Sequence, residues 1–279
     1  MSGPQAHWIS GGRLHLHHGP IDMIIGAAGP GREAGLARAV ARFDTLLEEL
    51  AAELPRLRAV QGPPPRGTVA AAMVAATVPF TEFITPMAAV AGAGADAVLA
   101  ALAAAGGIDK AYVNNGGDVA FHLGPGHSMT AAIASTTGGQ ATINYKDAAR
   151  GVATSGWRGR SHSLGIADSV TVLAQNAAMA DAAATLITNA VDLPDHSAII
   201  RKPACDLFDD SDLGTRPVTV AVGPLTEEEI ARALHRGLRR AEQFRARGLI
   251  CAASLSLGAQ QVLTRDMHIL TPEPEPIDA

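Results

Sequence analysis

Between residues 111 and 174 the chain repeats one texture, short apolar runs cut by glycine-rich turns. The runs 111–114, 118–123, 129–135, 141–145, 151–154 and 168–174 are each strand-sized, and the turns between them carry Asn-Gly, Gly-Pro and Gly-Gly steps. Such spacing favours hairpin connections over crossover helices, and so predicts a mainly antiparallel sheet.

The flanking segments supply helices to cover it. Residues 13–17 and 21–28 surround the turn at Gly19 and Pro20 and read as an opening hairpin. From residue 32 to 60, Leu36, Val40, Phe43, Leu47, Leu50 and Leu54 recur at helical spacing, which predicts one long amphipathic helix. The segment QGPPPRG at 61–67 breaks it and reads as a linker. An Ala-rich helix is expected over 87–105, ended by Gly106 and Gly107, and another over 176–190. A polar loop at 191–216 leads to a strand at 218–222. Thr226 and Glu229 then form a capping box that opens a helix to Arg245. A strand at 249–257 closes the pattern, and the tail 265–279 reads as flexible. Strands and helices come in blocks, so the class is α+β, with one domain spanning 1–279.

Composition removes several function classes. With 279 residues, 47% hydrophobic and 18% charged, the chain can bury a substantial core. Its net charge of −5 offers no basic footprint, and the arginines of 232–247 share an amphipathic helix with Glu242, so nucleic acid is not an expected partner. Cys205 and Cys251 lack metal-ligand spacing and read as free thiols. No positive n-region precedes an apolar run at the N-terminus, and the apolar stretch 87–107 is rich in Ala and Gly and interrupted by Asp96. It is expected to fall short of a membrane span, which makes the expected location cytoplasmic, with no membrane partner. A homodimer is compatible with all of this.

Three short motifs carry chemistry. In MADAAATL, Asp181 and Thr185 stand four residues apart, on one face of a helix. A carboxylate and a hydroxyl so placed suit Mg²⁺, which takes few protein oxygens and completes its shell from water and phosphates. In NNGGD, Asn115, Gly116, Gly117 and Asp118 form either a plain hairpin turn or a place where a nucleotide lies against bare backbone. In GVATSG, Thr154, Ser155 and Gly156 put two hydroxyls at a strand end. His15 and His17 share a strand face but alternate with Leu14 and Leu16, as a half-exposed strand requires.

In this order the blocks resemble the FAD:protein FMN transferase (ApbE) superfamily. Residues 88–118 are similar to its glycine-containing helix, strand and N-x-GGD turn, and 152–156 (VATSG) to its A-T-S-G block. Residues 169–185 are similar to S-V-T-V followed by A-D-A-x-A-T. The resemblance implies an ApbE-like fold with a glycine-rich cleft, and a Mg²⁺-dependent enzyme that cleaves FAD and attaches FMN to a threonine of a protein acceptor. It implies that Asp181, Thr185 and a backbone carbonyl near Val90 bind the metal. It also puts Asn115, Gly116, Gly117 and Asp118 beside the nucleotide, and Thr154, Ser155 and Gly156 near the flavin or its phosphates.

The departures are specific. Where the family carries K-G-x-x-x-D, this chain has Ala91 in place of the lysine but keeps Gly92 and Asp96. Where the family has H-x-x-D-P-x-T-G, it has the shorter RGRSHSLGIAD, in which His162 and Asp168 stand in for part of the motif. Arg158 and Arg160 are the cations available to replace the lysine. The expected ligand is thus FAD or FMN, or another nucleotide. The alternatives are a non-catalytic flavin- or nucleotide-binding protein, or an enzyme acting on another phosphorylated or carboxylated small molecule.

Overall fold

The structure, a computed structural model, describes residues 3–133, 138–159 and 161–265. The chain opens with β1 (Gln5–Ile9), β2 (Arg13–His18) and β3 (Ile21–Ala28), followed by α1 (Arg32–Phe43), α2 (Leu46–Ala52), α3 (Leu54–Leu57), α4 (Thr68–Thr77) and α5 (Val90–Ala103). The strand-rich middle comprises β4 (Lys110–Asn115), β5 (Asp118–Leu123), β6 (Ser128–Ala132), β7 (Gln140–Asn144), β8 (Gly151–Ser155) and β9 (Ser169–Ala174). Then come α6 (Ala177–Ala190), β10 (Ile199–Pro203), β11 (Pro217–Val222), α7 (Glu227–Ala246), β12 (Ala252–Leu257) and β13 (Gln260–Leu263).

Nine strands form one sheet in the order β1-β2-β3-β4-β5-β8-β9-β12-β13, and every neighbouring pair is antiparallel. Alternation sorts its two faces. Leu14, Leu16, Met23, Ile25, Ala111, Val113, Val170 and Val172 point to the helices and join the main core with Leu36, Phe43, Val98 and Ile187. Tyr112, Val119, Phe121, Val152 and Leu173 point to the other face, where the β6–β7 hairpin covers them through Met129, Ala131 and Ile143. Leu57, before the 61–67 segment, and Val69 and Met73, after it, belong to the same core.

Several expectations are corrected. The long helix of 32–60 is three helices, because α1 ends at Asp44 and Pro55 sits in the first turn of α3, where a proline starts a helix rather than continuing one. The 191–216 loop contains β10, paired with β11 from Ile199↔Val222 to Pro203↔Pro217. The closing strand begins at Ala252 instead of 249. By length and composition alone Pro86–Ala103 does reach the threshold for a membrane span; here it packs between the sheet, α1 and α6. The capping box stands: Thr226 Oγ1 accepts from the Glu229 N–H at 3.3 Å, and Glu229 accepts from the Thr226 N–H at 2.8 Å. Cys205 and Cys251 are free. The tail beyond residue 265 and residues 134 and 135 of the third expected strand lie outside the described residues.

Candidate functional site

The starts of α5 and α6 approach so closely that a Cβ on Gly92 would lie 2.2 Å from the Ala177 carbonyl oxygen. Only glycine fits there. Across this contact the two helices exchange carboxylates. Asp96, on α5, accepts from the N–H groups of Ala177 at 3.0 Å and Ala178 at 2.9 Å, at the start of α6. Asp181, on α6, accepts from the N–H of Gly92 at 3.1 Å and also from Ala91, at the start of α5. Each helix thus provides the anion that the other's positive end and orphan N–H groups require. Asn176 adds a side-chain cap, accepting from Met179 at 2.8 Å.

The glycine hairpin closes over this junction. Gly116 (φ 65) and Gly117 (φ 114) form a two-residue turn between Asn115 and Asp118, a geometry that glycine adopts without strain. Asn114 accepts from the Gly117 N–H at 2.9 Å. The half-turn inward belongs to Asn115, whose buried amide donates to the Ala91 carbonyl at 3.0 Å. Asp118 accepts from the Thr154 N–H at 3.2 Å, and the Thr154 and Thr171 hydroxyls share a bond of 2.9 Å. Val90 begins α5, directly before the two N–H groups that Asp181 holds.

Electrostatics single out Asp181. Burial, then the negative charge of Asp118, push its pKa well above the ordinary carboxylate range; Asp96 adds to the rise, and the Gly92 and Ala91 N–H groups oppose it. Burial also raises Asp96, against the pull of its bonds to Ala178 and Ala177. Among the described residues no three His, Cys, Asp or Glu side chains gather as a metal site; the burial of Asp181 near Asp118 and Asp96 favours its taking up a proton. Mg²⁺ requires only one or two carboxylates with neutral oxygens; on α6 Asp181 and Thr185 stand one turn apart, and Val90 begins the helix whose N–H groups Asp181 holds.

Beside the hairpin, on the sheet face opposite the helices, lies a cleft of ≈ 1060 Å³. Asn114, Gly116, Gly117 and Thr154 line its near end, Tyr112 and Phe121 its floor, and Met129 and Ile143 its roof. Of the expected site residues, the fold brings Val90, Asn115, Asp118 and Asp181 to one place, with Gly116, Gly117 and Thr154 on the cleft rim. Asp96 is there too, but both its oxygens cap α6. Ser155 pairs with Val170 in the sheet, and Gly156 lies against the Asp168 carbonyl, which a Cβ would meet at 2.2 Å.

The arginine expectation fares differently. Arg158 donates to Asp168 at 3.2 Å and lies over the Trp157 ring, whose Nε1 also donates to Asp168 at 3.1 Å. His162 packs on Phe208 and is not among the cleft residues. Arg160 lies outside the described residues. Reading the sequence missed the cleft floor and roof entirely; the one available signal was Gly26, whose Cβ would strike the Tyr112 ring at 2.4 Å and which therefore marks where that ring lies flat on the neighbouring strand.

Comparison with known proteins adds three findings. A family model described as AbpE bacteria matches residues 6–264. The UPF0280 protein MK0206 of Methanopyrus kandleri is 36% identical over 156 residues, which is 55% of this chain and 60% of that one. The chain thus matches less than two thirds of that relative's length. Among solved structures, the apo form of the Pseudomonas stutzeri flavinyl transferase ApbE aligns over 95% of both chains at 15% identity, with a TM-score of 0.47.

Proposed function

Because this chain belongs to the AbpE family of ApbE-like proteins, we propose that its cleft binds a flavin nucleotide, with the phosphates at the glycine hairpin, and that it is a Mg²⁺-dependent enzyme of FMN transfer or FAD pyrophosphate cleavage. The observation that carries this reading is the placement of Asp181, a buried carboxylate that accepts from the Gly92 N–H at the start of α5, near Asp118 at the end of a turn of bare backbone.

The chain's own residues have distinct tasks. Gly116 and Gly117 let a phosphate approach the main chain without meeting a Cβ, and the space beside Gly117 is open. Asn115 fixes the start of α5, and Asp96 with Gly92 sets the position of Asp181. Asp181, Thr185 and the Val90 carbonyl would hold Mg²⁺. When bound, the ion neutralises charge on phosphoryl oxygens, the main requirement of a pyrophosphate split. In that reaction the bond between a bridging oxygen and the FMN phosphorus breaks, AMP leaves, and a threonine hydroxyl of an acceptor protein, or water, takes its place and gives up its proton. Arg158 is held by Asp168, which favours a second reading, a flavin-binding protein that has lost turnover together with the lysine.

A thermal-shift screen with FAD, FMN, ADP and pterins, with and without Mg²⁺, tests the flavin reading. A ligand at a hundred times its Kd stabilises by about 2.7 kcal/mol, or roughly 5–10 °C for a chain of this size. FAD with Mg²⁺ should give that shift, and Asp181→Asn should remove the Mg²⁺-dependent part. No shift with any flavin would refute it.

A further inference from the structure

The cleft does not end at its apolar middle. It continues along β4 to a far end lined by Arg13, Arg32 and Lys110, beside Gly11 and Gly12. Six residue steps separate Lys110 from Gly116 on this strand and its turn, and at about 3.4 Å per step the two ends lie about 20 Å apart. One end is a turn of bare backbone next to carboxylates. The other is cationic.

Each of the three cations is placed without an acid. Arg32 donates to the carbonyls of Ala27 at 3.1 Å and Gly12 at 2.6 Å and lies 5.4 Å over the Trp8 ring. Arg13 donates to the Ser10 carbonyl at 3.0 Å and its hydroxyl at 3.3 Å. Lys110 is exposed. Among the described residues none of them is ion-paired with a carboxylate, whereas Arg42, Arg58, Arg158, Arg201, Arg240 and Arg245 all are. In a chain of net charge −5, three cations at one cavity end with no carboxylate beside them concentrate positive charge there. The neutral bonds to Arg13 and Arg32 hold the guanidinium groups in place while leaving their charge uncompensated, which is what a preorganised anion site needs.

We infer that the Arg13–Arg32–Lys110 end is a subsite for an anionic group, carboxylate or phosphate, of an extended ligand whose other end lies at the glycine hairpin. The subsite stands on its own residues and goes beyond the flavin reading. FAD and FMN carry charge only at their phosphates and bring none to this end; it selects instead a phosphorylated or carboxylated molecule that bears a second anionic group about 20 Å from the one at the hairpin.

Trp8 offers a local readout, because Arg32 sits over its ring and the chain's one other tryptophan is Trp157. In a Trp157→Phe protein, Trp8 emission is followed during titration with inorganic phosphate and, separately, with succinate, at ionic strength held constant with chloride. The expected result is a saturable change with at least one of the two anions, and which one binds tells a phosphate subsite from a carboxylate subsite. Adding Arg13→Ala and Lys110→Ala should weaken binding about tenfold or more for each cation removed. Adding Asp181→Asn should leave it unchanged, so a failure of the flavin reading would not be mistaken for a failure of this one. No saturable response to either anion, or one indifferent to loss of Arg13 and Lys110, would overturn the inference. Circular dichroism confirms that each variant is folded.

Discussion

Gly92→Ala and Gly94→Ala place the same methyl group two residues apart on α5 and should move stability in opposite directions. At Gly92 the new Cβ lies 2.2 Å from the Ala177 oxygen and 2.7 Å from the Ala178 nitrogen, both backbone atoms that no rotamer change can withdraw. The two helices must part by roughly 1 Å, an overpacking that costs about 1–3 kcal/mol. That separation also stretches the bonds from Asp96 to α6 and from Asp181 to α5, charge-assisted bonds worth about 1.5–3 kcal/mol each when lost. Helix propensity returns about 1 kcal/mol. Stretched rather than broken, these bonds together give up about one bond's worth, so the net expectation is a loss of about 2–5 kcal/mol, of order 10 °C in melting temperature. At Gly94 the nearest atoms, of Met23, Asn115 and Leu46, stand at 3.4–3.5 Å, ordinary contact distances. There the propensity gain remains, and the protein should gain up to about 1 kcal/mol. Urea unfolding followed by circular dichroism measures both. If Gly92→Ala stays within about 0.5 kcal/mol of wild type, or if Gly94→Ala falls as far as Gly92→Ala does, the close contact and the carboxylate exchange are wrong.

Three further outcomes are expected. Asp181 has a higher pKa in the folded protein than in the unfolded chain, so it binds a proton more readily when folded, and its contribution to stability falls as pH rises from the unfolded value towards the raised folded one. Asp181→Asn should therefore stabilise the ligand-free protein at neutral pH and flatten this part of its pH–stability profile; an unchanged profile would rule the buried charge out. Gly117→Val puts a β-branched residue at φ 114, a strain of order 1–3 kcal/mol, and should lower both melting temperature and nucleotide affinity. A folded variant with full affinity would reduce the turn to a plain hairpin. Arg158→Met should change nucleotide affinity little, since the guanidinium is bound to Asp168 and largely exposed; a large loss in calorimetry would restore it as the replacement for the missing lysine.

Where the sequence was legible, a local rule was at work. Period-two alternation around glycine turns made the antiparallel sheet visible, and Thr226 with Glu229 marked a helix start that forms as a capping box. The i, i+4 spacing of Asp181 and Thr185 and the turn at Gly116 and Gly117 were likewise local. What stayed hidden depends on contacts distant in the chain. Asp96 and Asp181 are 85 positions apart in number, and no periodicity reveals that each caps the helix carrying the other. α4 is apolar throughout, so it has no amphipathic period to announce it, and β10 lies in a proline- and aspartate-rich stretch where pairing with β11 supplies the order. Pro55 was a legible break, outweighed by the leucine spacing on either side of it.

The most direct test of Asp181 and the glycine hairpin as a flavin phosphate site is turnover. Purified protein is incubated with FAD and Mg²⁺, with and without a threonine-bearing acceptor, and AMP and FMN are quantified by chromatography. The expected result is Mg²⁺-dependent release of AMP that Asp181→Asn abolishes while circular dichroism shows the fold intact. Release of AMP at equal rates by wild type and Asp181→Asn would contradict it.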